Sequence, residues 1–313
     1  MNVSPLRAVA LMGATGTGKS ALAMTVAKAA NCSIICCDSM QLYKGLDIGT
    51  AKASPDEQAV TPHFMLDCCE LPDLYSAARW AEAARNVITM ENAAGRTPLI
   101  VGGTGLYLRA LLEGFANIPE ENHALREKYE RIHKEQGTAV LYRLLQDKDA
   151  VMAARLTAGD SQRIKRALCV FESTGKSLAT WQAEAKADHA DIECPVFVLD
   201  VAREILRQRL AERFHAMMQA GWLDEVRWLA AQVVPDTHPA MRAVGYRQLL
   251  DHLAGKLPLD KAINDGITAT RRYAKRQVTW FAHQTTIATH GNAEELGGLL
   301  MAALVKWTGV EHG

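Results

Sequence analysis

Eight consecutive residues, Gly13-Ala14-Thr15-Gly16-Thr17-Gly18-Lys19-Ser20, fit the spacing G-x-x-x-x-G-K-[ST] in full. Glycines let a backbone fold tightly enough for successive N–H groups to converge on phosphate oxygens. The helix that opens near Ser20 adds its positive N-terminal end. Lys19 brings a mobile cation, and the Ser20 hydroxyl is placed to ligate Mg²⁺. The pattern follows an apolar run and precedes a helical one, the context it requires, which sets aside an ordinary glycine turn. It specifies a polyphosphate without specifying a nucleotide, because a diphosphate ester with Mg²⁺ satisfies the same amides.

Further polar residues stand where apolar runs end. Asp38 closes Ser33-Ile34-Ile35-Cys36-Cys37. It suits either holding Mg²⁺ through water or accepting a proton from a nucleophile; a helix or turn cap is the structural alternative. Gly102-Gly103-Thr104-Gly105 ends a third run and opens a helix. Its glycines permit close approach by ligand or backbone, and Thr104 offers either a ligand contact or a plain N-cap. Arg203, Arg207, Arg209 and Arg213 crowd the helix after a fourth run. A guanidinium aimed at the phosphate loop would neutralise a leaving diphosphate. For most of these arginines a solvated face paired with Glu204 and Glu212 is expected.

The elements behind these residues alternate. Ala8–Met12, Ser33–Cys37, Pro98–Val101 and Pro195–Leu199 read as buried strands. Helices are expected over 20–30, 75–94, 106–113 and 203–220. This βαβ rhythm predicts an α/β fold: a P-loop NTPase-like core with a parallel sheet flanked by helices. In such a sheet ligands bind beyond the carboxyl ends of the strands. From about residue 125 to 186 the chain reads as helix after helix. An all-helical domain is therefore expected at 118–186, inserted into a core of 1–117 and 187–313 that ends in helices over 222–231, 246–254 and 263–283.

Composition bounds the partners. Of 313 residues 49% are apolar, and 35 basic residues balance 35 acidic ones. No membrane-length apolar stretch and no signal peptide are read, so a cytoplasmic location is expected. Seven cysteines in no Cys-x2-Cys arrangement predict buried thiols in a reducing compartment. With zero net charge, any nucleic-acid surface must come from local segregation. Three basic turns offer one: Gln162-Arg163-Ile164-Lys165-Arg166, Arg242-Ala243-Val244-Gly245-Tyr246-Arg247, and Arg271, Arg272, Lys275 and Arg276, the last group inside a stretch from Gly266 to Ala293 without an acidic residue. Basic side chains beside aromatic and amide groups suit a phosphate backbone with splayed bases.

Taken in order along almost the whole chain, these motifs resemble the tRNA dimethylallyltransferase (tRNA isopentenyltransferase) family. The match is carried by Gly13–Ser20 and above all by the run from Asp38 to Lys52. It continues through Pro62-His63, Tyr75-Ser76, Val101–Tyr107, Gln162-Arg163, Arg213-Phe214, Val244–Arg247 and Ala274–Phe281. The resemblance implies dimethylallyl diphosphate bound with Mg²⁺ on the phosphate loop. It implies, as acceptor, N6 of the adenosine 3′ to the anticodon (position 37), in tRNAs reading codons that begin with U. By matching position, Asp38 is expected as general base, Thr104 at the reacting centre and Arg213 on the diphosphate. Asp38, Ser39, Met40, Gln41, Thr104, Arg126, Gln162–Arg166 and Arg242–Arg247 are expected to touch the tRNA anticodon stem-loop. Two departures stand out. Many relatives have Pro second and Thr last in the phosphate loop, where this chain has Ala14 and Ser20. No Cys follows Cys194, so the zinc finger of eukaryotic relatives is missing, which points to the bacterial type. A monomer is expected. The rival readings are an ATP-dependent P-loop kinase of small molecules and a non-catalytic tRNA-binding protein.

Overall fold

A computed structural model describes residues 5–114, 118, 122–185, 192–284 and 288–307. Among the described residues eight strands form: β1 (Leu6–Arg7), β2 (Val9–Met12), β3 (Ile34–Cys37), β4 (His63–Phe64), β5 (Leu99–Gly102), β6 (Ile192–Glu193), β7 (Val196–Leu199) and β8 (Ala288–Gly291). β1 pairs with β6 alone, and the other six make one parallel sheet in the order β4-β3-β5-β2-β7-β8. Every residue of β2, β3 and β5 is buried, as central strands covered on both faces require.

Before residue 114 the helices are α1 (Lys19–Ala30), α2 (Pro55–Val60), α3 (Ala77–Ala93) and α4 (Gly105–Glu113). Next come α5 (His123–Gln136), α6 (Thr138–Lys148), α7 (Ala150–Ala153), α8 (Ser161–Thr174) and α9 (Leu178–Ala185). After β7 follow α10 (Arg203–Gln219), α11 (Trp222–Ala230), α12 (Pro239–Arg242), α13 (Tyr246–Leu253), α14 (Leu259–Gln284) and α15 (Ala293–Val305). The strand period of two sorts the core. Val9 and Leu11 join Ala23 and Val26 of α1 and Leu296 and Leu300 of α15. Ala10 and Met12 join Trp80, Ala84 and Ile88 of α3 on the opposite face. Among the described residues no helix is long and apolar enough to cross a membrane.

The chain divides into two compact units, Met1–Leu112 with Asp191–Gly313, and Glu113–Ala190. The anticipated boundaries at 117 and 187 lie outside the described residues. The second unit holds α5–α9 around a core of Tyr129, Leu141, Leu145, Ile164 and Leu168. Here one expectation is corrected. Ile164 is fully buried in that core, and Lys165 is buried with its ammonium on Glu130 at 2.6 Å. On one helix five successive residues cannot all face outward; Gln162 and Arg163 are exposed and Arg166 half-buried. Direct tRNA contact by Ile164 and Lys165 side chains is therefore set aside.

Further readings change. Both sheet edges, β4 and β8, were not expected as strands, nor was α15. α14 starts at Leu259, four residues before its expected start. Among the described residues Arg203, Arg207 and Arg209 do not pair with Glu204 or Glu212: Arg209 donates to the Thr17 carbonyl at 3.4 Å, and Glu212 accepts from Gln208 at 2.8 Å.

Candidate active site

Sheet register brings the site together. Gly102 of β5 is level with Met12 on one side and Cys37 on the other. The phosphate loop, Gly103-Thr104 and Asp38 therefore leave the sheet side by side at its carboxyl end. Only glycine fits at 102, where a Cβ would stand 2.0 Å from the Cys37 carbonyl oxygen. The loops are then stitched across: the Thr104 N–H donates to Cys37 O at 3.1 Å, and the Ser39 N–H donates to Thr104 Oγ1 at 3.2 Å.

The phosphate loop turns on Gly16 and Gly18, both with φ in the left-handed region, at 83° and 93°. α1 begins without a side-chain cap and without an acidic residue in its first turn. By contrast α2, α3 and α15 are capped by Ser54, Ser76 and Asn292. The open amides and the dipole at Lys19-Ser20 are therefore left for an external anion. Thr17 is buried and donates to the Ala14 carbonyl at 2.9 Å, where Lys19 Nζ also donates at 3.3 Å. Burial pulls the Lys19 ammonium down to about 8; Asp38 opposes that fall and Arg213 adds to it. Burial likewise lowers Arg213, and Asp38 again opposes. Two cations and one carboxylate thus feel one another at a partly dry site, the arrangement that favours a polyanion.

Asp38 is held through Oδ1, which accepts the Met40 N–H at 2.9 Å. It stands between two cavities. The larger, about 330 Å³, is walled by Met40, Phe214, Trp222, Tyr246, Tyr273 and Arg276 among others, a size suited to a small-molecule site. The smaller, about 100 Å³, is walled by Lys19, Ser20, Gln41 and His63 among others. Thr15, Asp38, Thr50 and Arg213 line both. Burial, followed by the Asp38 charge, pushes the Tyr273 phenol up, so that hydroxyl stays protonated near the carboxylate.

A family model described as IPP transferase matches residues 41–284. The chain belongs to the IPP transferase family. Relatives named tRNA dimethylallyltransferase include that of Chelativorans sp., 41% identical over 278 residues, covering 88% of this chain and 95% of the relative. That of Azorhizobium caulinodans is 43% identical over 281 residues, covering 88% and 89%. The fold is similar to the full-length tRNA isopentenylpyrophosphate transferase of Bacillus halodurans, with TM-score 0.70 and 29% identity over 98% of this chain and all of that one. It is also similar to a eukaryotic dimethylallyltransferase acting on tRNA, with TM-score 0.77 and 27% identity over 93% of this chain and 74% of that one.

Within this IPP transferase fold, the expected tRNA residues fall in several places. Ser39, Met40, Arg242, Ala243, Val244 and Tyr246 line the larger cavity, whereas Gln41 faces the smaller one. Gln41 spends its amide inside the chain, donating to Thr50 O at 3.0 Å and accepting from Cys36 Sγ at 2.9 Å. Gly245 is buried and Arg247 exposed, whereas Arg126 and Gln162–Arg166 belong to the helical unit. Thr104 borders neither cavity directly and reaches the site through Ser39. Sequence reasoning gave no role to Gln277. Buried on α14, it accepts from the Thr15 N–H at 2.9 Å and donates to Gly103 O at 2.9 Å. One amide thereby ties the phosphate loop to the strand end that carries Thr104. No local pattern could have announced a partner 262 residues away.

Proposed function

We propose that the chain transfers the dimethylallyl group of dimethylallyl diphosphate to N6 of adenosine 37 in tRNAs reading codons that begin with U. The products are N6-(dimethylallyl)adenosine and diphosphate. The observation that carries this reading is the shared wall: Asp38 and Arg213 border both a chamber lined by Lys19 and Ser20 and a larger one with aromatic walls. The family membership and the relatives' names support it over a kinase.

The diphosphate is assigned to the open amides of α1, Lys19 and Arg213. Mg²⁺ fits beside it. Among the described residues no cluster of three or more His, Cys, Asp or Glu could hold a metal. Mg²⁺ needs few protein ligands where phosphate oxygens and water complete its shell, and the exposed Ser20 hydroxyl supplies one. When bound, the ion would offset charge on the departing diphosphate.

The exocyclic amine of adenosine is a weak nucleophile because its lone pair is delocalised into the ring. Stacked in an anticodon loop it is also out of reach, so the base must turn out into the larger chamber. Met40, Phe214, Tyr246 and Tyr273 offer faces for it. Stacking of this kind is worth about 1–3 kcal/mol per base. Asp38, aimed by its Met40 bond, accepts the N6 proton as the N–C bond forms and the donor C–O bond breaks. Lys19, Arg213 and the loop amides hold the charge that builds on the leaving diphosphate. Ser39, Arg242 and Arg247 in the core unit, with Arg126, Gln162, Arg163 and Arg166 in the helical unit, are assigned to the tRNA stem-loop, the reaction taking place in the cytoplasm.

The test is transfer of labelled dimethylallyl diphosphate to unmodified tRNA, with and without Mg²⁺. Label is expected on adenosine 37 and not when Mg²⁺ is removed. Asp38→Asn keeps the Met40 acceptor but cannot take a proton, so turnover should fall by about 10²–10⁴-fold with tRNA affinity nearly unchanged. Equal losses in both would refute the base. ATP turnover on a small acceptor, without label transfer, would favour the kinase.

A further inference from the structure

The Glu225 carboxylate collects four donors. Its Oε2 accepts the N–H groups of Asp47 at 2.9 Å and Ile48 at 2.6 Å; its Oε1 accepts the Gly49 N–H at 3.1 Å and the Tyr246 hydroxyl at 2.5 Å. Three successive amides converging on one anion form a nest, here filled from within the chain. Charge-assisted bonds of this kind are about twice as strong as neutral ones.

What these bonds join matters more than their number. Gly49, Trp222 and Tyr246 all line the larger chamber. They are packed without slack: a Cβ on Gly49 would stand 2.0 Å from Trp222 Nε1 and 2.6 Å from Tyr246 Cζ. Trp222 meets Tyr246 edge-on at 5.4 Å and Phe214 at 4.8 Å. Glu225 itself touches neither cavity, and no part of the phosphate loop bonds to it.

We infer that Glu225 is a positioning residue for the acceptor: by clamping the 47–49 loop and Tyr246 together it fixes the wall against which the incoming base is seated. This rests on the transfer reaction proposed above. The donor side is held separately, by Gln277 and Arg209 on the phosphate loop. Disturbing Glu225 therefore separates acceptor handling from donor binding.

Glu225→Gln is isosteric but turns an amide NH₂ toward N–H groups. Misplacing a reacting partner by about 1 Å costs on the order of 100-fold in rate. The experiment measures wild type, Glu225→Gln and Tyr246→Phe in tRNA prenylation, and binding of inorganic diphosphate with Mg²⁺ by calorimetry. Glu225→Gln should lower kcat/KM for tRNA by about 10- to 100-fold, with diphosphate affinity changed less than twofold. Tyr246→Phe, which removes one hydroxyl and keeps the fold, should give a smaller loss of the same kind, and the double variant less than the product of the two. Parallel loss of diphosphate binding, or wild-type kinetics in Glu225→Gln, overturns the positioning role. If the wild type itself transfers no label, the transfer reading fails and takes this inference with it.

Discussion

Lys19 shows how one residue trades stability for binding. Its folded-state pKa, near 8, lies below that of an unfolded lysine. The unfolded chain therefore binds more protons between about pH 8 and 10.4, and stability rises with pH across that window. Below pH 8 the destabilisation is present in full. Lys19→Met should then raise the Tm of the ligand-free protein at pH 7 while abolishing prenyl transfer; a lowered Tm would mean that the Ala14 bond outweighs burial. The same shift makes donor affinity pH-dependent. Binding of inorganic diphosphate to the free wild type should weaken from pH 7 to 9 as the ammonium is lost, and stay flatter over that range in Lys19→Met. Residue types alone marked Lys19 as a phosphate ligand. The direction of its shift comes from the depth of the loop and from Arg213, against the opposing charge of Asp38, and none of these is local in sequence.

At the scale of elements, the site depends on how α14 meets two strand ends. From a buried position on α14, Gln277 bonds to both the phosphate loop and Gly103. Gln277→Leu would leave the part-buried Thr15 N–H and the buried Gly103 carbonyl without this partner, a cost of about 1–3 kcal/mol for the buried carbonyl. Gln277→Glu keeps the acceptor for Thr15 but sets a carboxylate against the Gly103 carbonyl. Both should unfold at lower urea concentration than wild type and show reduced kcat; unchanged kcat in a destabilised Gln277→Glu would show that the tie serves stability alone. The central strands behind this arrangement were legible because each is an unbroken apolar run. The edges were not: β8 reads Ala-Thr-His-Gly and is at best half-buried, and β4 has two residues. An edge strand lacks the apolar signal that burial on both faces imposes. α15 is poorly legible because Gly297 and Gly298 lower helix propensity, which packing of Leu296, Leu300 and Leu304 on the sheet overrides.

For the molecule as a whole, the helical unit at Glu113–Ala190 has a core of its own. Its α8 carries both core and candidate RNA residues, divided by helical phase. Ile164→Ala should cost about 2–5 kcal/mol of that unit's stability, whereas exposed Arg163→Ala should change it by no more than about 0.5 kcal/mol and act on tRNA affinity instead. Differential scanning calorimetry with a tRNA binding titration separates the two; a weakened affinity in Ile164→Ala at a temperature where that unit stays folded would restore Ile164 as a contact.

The sequence by itself determined the chemistry available and the kind of frame that carries it. The phosphate-loop spacing, Asp38 at a strand end, the apolar runs and the helical stretch between them are local patterns, and local patterns need only short-range geometry to be read. The tertiary structure decided which groups meet. Strand order and register set Asp38 and Gly103 beside the phosphate loop, and helix phase turned Ile164 and Lys165 inward. Contacts across more than 170 residues brought Gln277 and Glu225 to the site. Those outcomes depend on how distant surfaces pack, and pairing between distant surfaces leaves no periodic trace in a single chain's sequence.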